Sequence, residues 1–325
     1  MTTTALLGLW AQTSIHAGAG SSIDGIDLPI QREGHNGWPC VFGSSVKGAL
    51  RAKAEDLWGK NDGVRYVFGP DSDNQIDDDN PKPRASDHAG ALMVSDARLL
   101  LLPVRSLTGY FKWVTCPALL KRLQNDAQCF DVAIDAYEIP PVTELESGLQ
   151  PQAEGHLFLE EYRLTTQRGD LTNIITVLSC LSGIAETDLT AQLVIVSDAM
   201  FTYLCQFATP VTAHIAIDNT TKTVKKGALW YEETLPPETV FYLALKANAV
   251  RDAQAKFDDN PIIKDSKAKA VLASITDSLL DLSGFKNLKG LNETVSPKKG
   301  SPYLQIGGNE TVGMGWCKVT KYKGA

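Results

Sequence analysis

The chain has 325 residues, 43% hydrophobic and 21% charged, the balance of a soluble globular protein with a sizeable core. No apolar run approaches the roughly 18 residues of a membrane-spanning helix, and the N-terminus lacks the basic region and cleavage site of a secretion signal; a cytoplasmic location and no membrane partner are expected. The net charge of −7 does not mark a nucleic-acid binder, but it is unevenly spread: residues 71–90 hold six acids against two bases, and residues 284–325 hold seven lysines against two glutamates. Local field governs a polyanion's approach, so the total excludes little.

In chain order, residues 4–13 read as a first strand that runs into a glycine-rich loop. Ser44 to Trp58 reads as a helix, with Val46, Leu50, Ala54 and Leu57 at helical spacing on one apolar face. Residues 71–90, rich in Asp, Asn, Pro and Ser, read as a flexible acidic insertion. Asp77, Asp78 and Asp79 are adjacent, so their side chains diverge rather than form a metal cage. Leu92–Leu102 reads as a buried strand, Pro117–Gln128 as a helix, and residues 140–155 as a loop. Leu157–Leu164 reads as a strand, and Leu171–Leu181 as a helix or a strand.

His214–Leu235 has the pattern of a hairpin, with turn chemistry at Asp218–Lys222 and Lys222, Lys225 and Lys226 near its tip. Thr239–Leu245 reads as a strand and Ile263–Leu282 as holding an amphipathic helix. Tyr303–Ile306 and Val312–Val319 read as strands flanking a last glycine loop. Strands and helices are mixed and long helices are few, which fits an α+β class. No two of the six cysteines stand at C-x-x-C spacing, so neither a zinc site nor a redox motif is indicated, and free buried thiols are expected.

Residues 14–51 carry the chemistry. A glycine loop presents Asp24 and Asp27, then the chain enters the helix at Ser44 or Ser45, either of which can serve as N-cap. Lys47 and Arg51 are four apart and share a helix face. Free helix N–H groups and two cations make an anion site. Arg32 has the geometry to grip a phosphate or to pair with a neighbouring acid. His16 and His35 flank the loop; histidine is the usual general acid or base near neutral pH, and a structural role is the alternative. Gly307, Gly308, Gly313 and Gly315 form a loop whose amides can line phosphates, although a tight hairpin between two strands explains the same glycines.

Three stretches carry a resemblance to a known family. They are Ile26-Asp-Leu-Pro-Ile-Gln-Arg-Glu33 with Gly43-Ser-Ser-Val-Lys-Gly-Ala-Leu-Arg51, Gly227-Ala-Leu-Trp-Tyr-Glu-Glu-Thr-Leu-Pro-Pro-Glu-Thr239, and Tyr303-Leu-Gln-Ile-Gly-Gly-Asn-Glu-Thr-Val-Gly-Met-Gly315. Together they resemble the RAMP superfamily, and within it the repeated backbone subunit of Cmr-type (type III-B) CRISPR effector complexes. The resemblance runs from about residue 5 to residue 320. It implies a single elaborated domain over 1–325: a ferredoxin-like, RRM-related core with large insertions, and residues 212–236 as a protruding thumb that presses into a guide–target duplex. It implies a metal-dependent endoribonuclease acting within the assembled complex. Asp27 would be the cleaving aspartate, as base or as ligand of a divalent ion, plausibly Mg²⁺, with His16 as a possible helper. Arg32, Ser44, Ser45, Lys47, Arg51, Lys222, Lys225, Lys226 and the four late glycines would hold RNA. The implied partners are guide RNA, complementary target RNA, further copies of the chain and other Cmr-type subunits. Two alternatives stay open: a non-catalytic guide- and target-binding scaffold, and an endoribonuclease that processes the guide precursor.

Overall fold

A computed structural model describes the chain except residues 1, 21–24, 71–87, 108, 153, 253–254, 258–259, 261, 264, 283–299 and 325. Asp24, Asp77, Asp78, Asp79 and nearly all of the acidic insertion therefore lie outside the described residues. Strand β1 is Thr3–Ala11, followed by β2 (Cys40–Val41), helix α1 (Gly43–Trp58), α2 (Asp62–Phe68), β3 (Leu92–Val94), β4 (Ala97–Arg105), β5 (Phe111–Thr115) and α3 (Pro117–Cys129). Then come β6 (Ser147–Gln150), β7 (Gly155–Leu159), β8 (Tyr162–Arg168), α4 (Thr172–Ser182), α5 (Glu186–Gln192), β9 (Leu193–Val196) and α6 (Asp198–Phe207). The chain closes with β10 (Val211–Ile217), β11 (Val224–Glu233), β12 (Val240–Ala247), α7 (Ala268–Ala273), a π-helical turn at Ser274–Leu279, β13 (Tyr303–Gln305) and β14 (Trp316–Lys321).

Ten strands form one path, β13-β14-β1-β12-β4-β5-β9-β6-β8-β7, with β2 added on β4 and β3 on β12. The sheet is mixed: β5 pairs parallel with β9 and β6 parallel with β8, while the other pairings are antiparallel. Both faces are buried, as the uninterrupted apolar runs require. Along β1, Leu7 and Leu9 join one core while Leu6 joins the other; along β12, Phe241, Leu243 and Leu245 face the first and Val240, Tyr242 and Ala244 the second. Helix α1 covers the first face with Val46, Leu50 and Ala54, and α4 covers the second with Ile174, Val177, Leu178 and Leu181. Gly8 lets α4 lie directly on β1: a Cβ there would fall 1.9 Å from the Leu181 carbonyl oxygen. These observations bear out the α+β class, and β10 pairs with β11 as the hairpin read at 214–235.

Several expectations need correction. The apolar run 92–102 is two strands. It breaks at Ser95, whose Oγ accepts from Ala244 N at 2.9 Å, and at Asp96, whose carboxylate turns to α1. Within 140–155, β6 and the start of β7 form, because their neighbours β8 and β9 supply the ladder bonds. Residues 157–164 are a two-strand hairpin rather than one strand. Residues 171–181 are helix α4. The final strand begins at Trp316, not Val312; Glu310–Val312 is a short 3₁₀ turn, and Gly313 and Gly315 take positive φ of 84° each. Among the cysteines, Cys129 is exposed and Cys180 only half-buried, and none is disulfide-bonded. Among the described residues, no helix is long and apolar enough to cross a membrane.

Candidate functional site

The site is built where the loop after β1 meets the root of the β10–β11 ribbon. This ribbon is a two-stranded sheet of its own, apart from the main one. Its turn is fixed by Asp218, whose Oδ1 accepts from the N–H groups of Thr220 and Thr221 at 2.8 and 3.0 Å. These bonds hold the Asp218 carboxyl below the usual carboxylate range. Lys222, in the left-handed region with φ of 58°, and Lys225 and Lys226 are all exposed. So are Ile215, Ile217, Val224 and Leu229.

Asp27 is exposed, and its Oδ2 accepts from the backbone N–H of Tyr231 at 2.8 Å. Leu28 then runs beside β11: its N–H donates to the Tyr231 carbonyl at 3.0 Å, and its carbonyl accepts from Glu233 N at 3.0 Å. The aspartate loop is thus laid as a short third strand on the ribbon's root. That register presents the carboxylate outward.

Glu233, 2% exposed, ties the root together. Its Oε1 receives Arg32 Nη2 at 2.5 Å and Thr209 Oγ1 at 2.7 Å, and its Oε2 receives Ile30 N at 3.1 Å. Arg32 also donates through Nη1 to the carbonyls of Gly37 at 2.8 Å and Cys205 at 3.0 Å. Of the two roles open to Arg32 in the sequence, the structure shows the pairing one.

His16, 9% exposed, is also engaged. Its Nδ1 lies 2.8 Å from the Glu233 carbonyl oxygen, which can only accept, so the ring proton sits on Nδ1. Glu232, 4% exposed, stands between two histidines: Oε1 is 3.6 Å from His16 Nδ1 and Oε2 is 3.9 Å from His214 Nε2. Asn309 Nδ2 donates to Glu232 Oε1 as well. The late glycine loop closes over this cluster. Gly308 N donates to the His16 carbonyl at 2.8 Å and Gly315 N to the Ser14 carbonyl at 2.8 Å. At Gly307, with φ of 87°, a Cβ would fall 2.3 Å from the His16 carbonyl oxygen; at Gly315 it would fall 2.2 Å from that of Ile306. Close backbone approach thus explains both glycines. Gly313 has open space around it. His35 is exposed, with Nε2 3.7 Å from Glu33.

The start of α1 differs from the reading at Ser44 or Ser45. The N-cap is Phe42, with no side-chain cap bond. Gly43 N donates to Asp96 Oδ1 at 2.7 Å, so a protein carboxylate already occupies the first helical N–H. Ser44 is exposed, and Ser45 Oγ accepts from Gln31 Nε2 at 3.3 Å. Arg51 does follow Lys47 on one face, but its Nε donates to Glu55 Oε1 at 2.8 Å. Lys47 is held below the ordinary lysine range by burial, and further by the Arg51 and Arg251 charges. A half-buried ammonium with cations around it favours an incoming anion.

Asp27, His16, Arg32 and the late glycines therefore converge on the ribbon root, the three ribbon lysines lie at its far end, and Lys47 and Arg51 form a separate patch on α1. Sequence reasoning did not single out Glu232, Glu233 or His214 as site residues. The only signal was that both glutamates fall inside the 227–239 stretch. Among the described residues, no three His, Cys, Asp or Glu side chains converge as a metal cage. Mg²⁺ is commonly held by one or two carboxylates with substrate phosphates completing the shell. Asp27 fits that lighter role.

A large mixed sheet with helices on both faces, carrying a carboxylate loop on an exposed ribbon, defines a class already met in the sequence. The chain belongs to the RAMP superfamily, whose profile matches residues 11–318. It is 32% identical over 322 residues to the CRISPR system Cmr endoribonuclease Cmr4 of Pyrococcus furiosus, covering 97% of this chain and 94% of that protein. It is 23% identical over 270 residues to the CRISPR system CMR subunit Cmr4 of Saccharolobus solfataricus, covering 74% and 83%. The crystal structure of oligomeric Cmr4 from Pyrococcus furiosus matches with a TM-score of 0.66 at 26% identity, over 98% of this chain and 97% of that one. A type III-B Cmr-β complex bound to cognate target RNA contains a chain of the same fold, with a TM-score of 0.67 at 22% identity over 98% and 97%.

Proposed function

We propose that this chain is the repeated backbone subunit of a type III-B CRISPR ribonucleoprotein. Copies line up along a guide RNA, beside other Cmr-type subunits, and cut complementary single-stranded RNA at regular intervals. The observation that carries this reading is the Asp27 carboxylate, exposed and fixed to Tyr231 at the root of an exposed ribbon. Its support is a near full-length likeness to a Cmr endoribonuclease.

RNA brings its own nucleophile, the 2′-hydroxyl, so the protein's task is alignment and charge. In this reading Asp27 accepts the hydroxyl proton, while the Tyr231 N–H holds the carboxylate in place. A divalent ion such as Mg²⁺, when bound beside Asp27, would neutralise charge on the phosphate under attack. The ribbon, as the thumb, separates neighbouring stretches of duplex, and Lys222, Lys225 and Lys226 meet phosphates at its tip. Base pairing with the guide selects the target.

The test is the assembled particle with complementary RNA, with and without EDTA. Evenly spaced products that vanish with EDTA are expected. Cutting that persists in EDTA would leave Asp27 acting as a base alone. A particle that binds target but never cuts would show a scaffold.

Lys47 serves the guide backbone in this reading. Lys47→Ala is expected to weaken guide binding and to reduce the magnitude of its salt slope by roughly 0.7 to 0.9, one phosphate contact. Arg51→Ala should do less, because Arg51 already shares its charge with Glu55. Filter binding across a salt series reads both; an unchanged slope for Lys47→Ala would remove it from the guide contact.

A further inference from the structure

The main sheet ends at β7. Its partner on one side is β8, and a two-residue turn closes that hairpin with Leu159 opposite Tyr162. In such a ladder alternate residues bond to the partner strand. Leu159, Leu157 and Gly155 bond to β8, while Phe158 and His156 aim their N–H and C=O groups away from it. On that outer side, among the described residues, the pairing is a single bridge between Leu159 and Ser106. Leu157 and Leu159 are buried and root the strand in the core; Gly155 and His156 lie open. An unpaired edge held this firmly is a template for one more strand.

The end of the edge carries apolar anchors. The turn after β4 is tied to the β7–β8 hairpin: Glu160 N donates to the Arg105 carbonyl at 3.0 Å, and Arg105 Nη2 to Glu160 Oε2 at 2.8 Å. This turn presents Leu107 and Tyr110, 75% and 94% exposed. Side chains of this size beside an unpaired edge give a guest strand apolar surface to bury.

Charge selects the guest. Residues 144–162 contain five glutamates and neither lysine nor arginine. Glu144, Glu146 and Glu154 are exposed and form no ion pair with a described residue. From β8, Arg163 donates to His156 Nε2 at 2.6 Å. The balance is acidic. It repels RNA phosphates, and it repels the same edge of a second copy. We infer that β7 accepts an extended, lysine- or arginine-bearing segment of a different protein subunit, added to the sheet as its next strand. This rests on the assembly proposed above and adds a protein–protein contact to it. Main-chain bonds hold such a guest, and the glutamates choose it.

Hydrogen exchange compares two preparations: this chain assembled on guide RNA alone, and the complete particle with its other protein subunits. Amides of residues 155–160 should exchange about 10-fold or more slowly in the complete particle only. In that particle a carbodiimide, which joins a carboxylate to an amine in contact, should link Glu144, Glu146 or Glu154 to a lysine of another subunit. The double variant Glu144→Lys with Glu154→Lys, at two exposed positions, should lose most of the protection and keep its melting midpoint. Unchanged protection in the variant would overturn the basic guest. Equal exchange in the two preparations would overturn the strand addition, and the glutamates would then serve only to keep copies apart. Protection already present on guide RNA alone, or crosslinks only between copies of this chain, would give the edge to a second copy and overturn the inference as well. A particle that shows the protection but cuts no RNA would keep the surface and refute the cutting. One that cuts on schedule with the edge open would overturn the surface alone.

Discussion

Asp27→Ala is expected to stop RNA cutting while leaving the particle assembled and able to bind target. The side chain is exposed and makes one hydrogen bond among the described residues, to Tyr231 N. Losing it costs stability on the order of 0.5–1.5 kcal/mol, and water can replace the acceptor at so open a place. Cutting depends on it far more. Removing a group that takes the proton or holds charge in the transition state typically lowers the rate by about 100-fold or more. A gel of complementary RNA with wild-type and variant particles, matched for target binding, decides the matter. Wild-type rates from the variant would make Asp27 structural and move the chemistry to another residue or subunit.

The second large effect is on stability. Glu233→Ala removes the buried acceptor of Arg32, Thr209 and Ile30 N together, and leaves a guanidinium only 23% exposed without its counter-ion. Breaking a buried ion pair from one side costs about 3–5 kcal/mol. The melting midpoint should fall by several degrees or more. The double variant Glu233→Leu with Arg32→Met should recover much of the loss, because no unpaired charge remains. Cutting should stay poor in both, since Ile30 N loses its anchor and the Asp27 loop slackens. Urea unfolding of the single and double variants checks the first part. A single-variant loss under about 1 kcal/mol would show the pair to be dispensable.

What the sequence made legible follows from physical range. Helix α1 was readable because Val46, Leu50 and Ala54 report a local period, and the ribbon because Asp218 and its neighbours carry their own turn chemistry. The 92–102 run was not, because a strand buried on both faces shows no alternation, and the break at Ser95 and Asp96 is set by partners on β12 and α1. Residues 171–181 were ambiguous for the same reason: Ile174, Ile175 and Val177 suit a buried strand as well as a buried helix. In the site, Asp27 stood out through its motif. Glu233 did not, because its meaning lies in partners some 200 residues away in sequence. Arg32, Gly307, Gly308 and Gly315 show the converse: residues with phosphate-binding chemistry are engaged in holding the chain to itself.

Gly227, with φ of 76° and open space where a Cβ would lie, stands within β11 between the lysines and the anchored root. The pairing with β10 changes register between Ile215 and Ile217, on the strand opposite this region. The irregularity divides the ribbon into an outer and an inner segment. Lys225 and Lys226 lie beyond the glycine; Leu229, Trp230 and Tyr231 lie on the near side, and the strand ends at the buried Glu233. If RNA binds the tip as proposed, the glycine lets the outer segment take its own course relative to Tyr231. A β-branched residue at 227 would strain the strand at this positive φ.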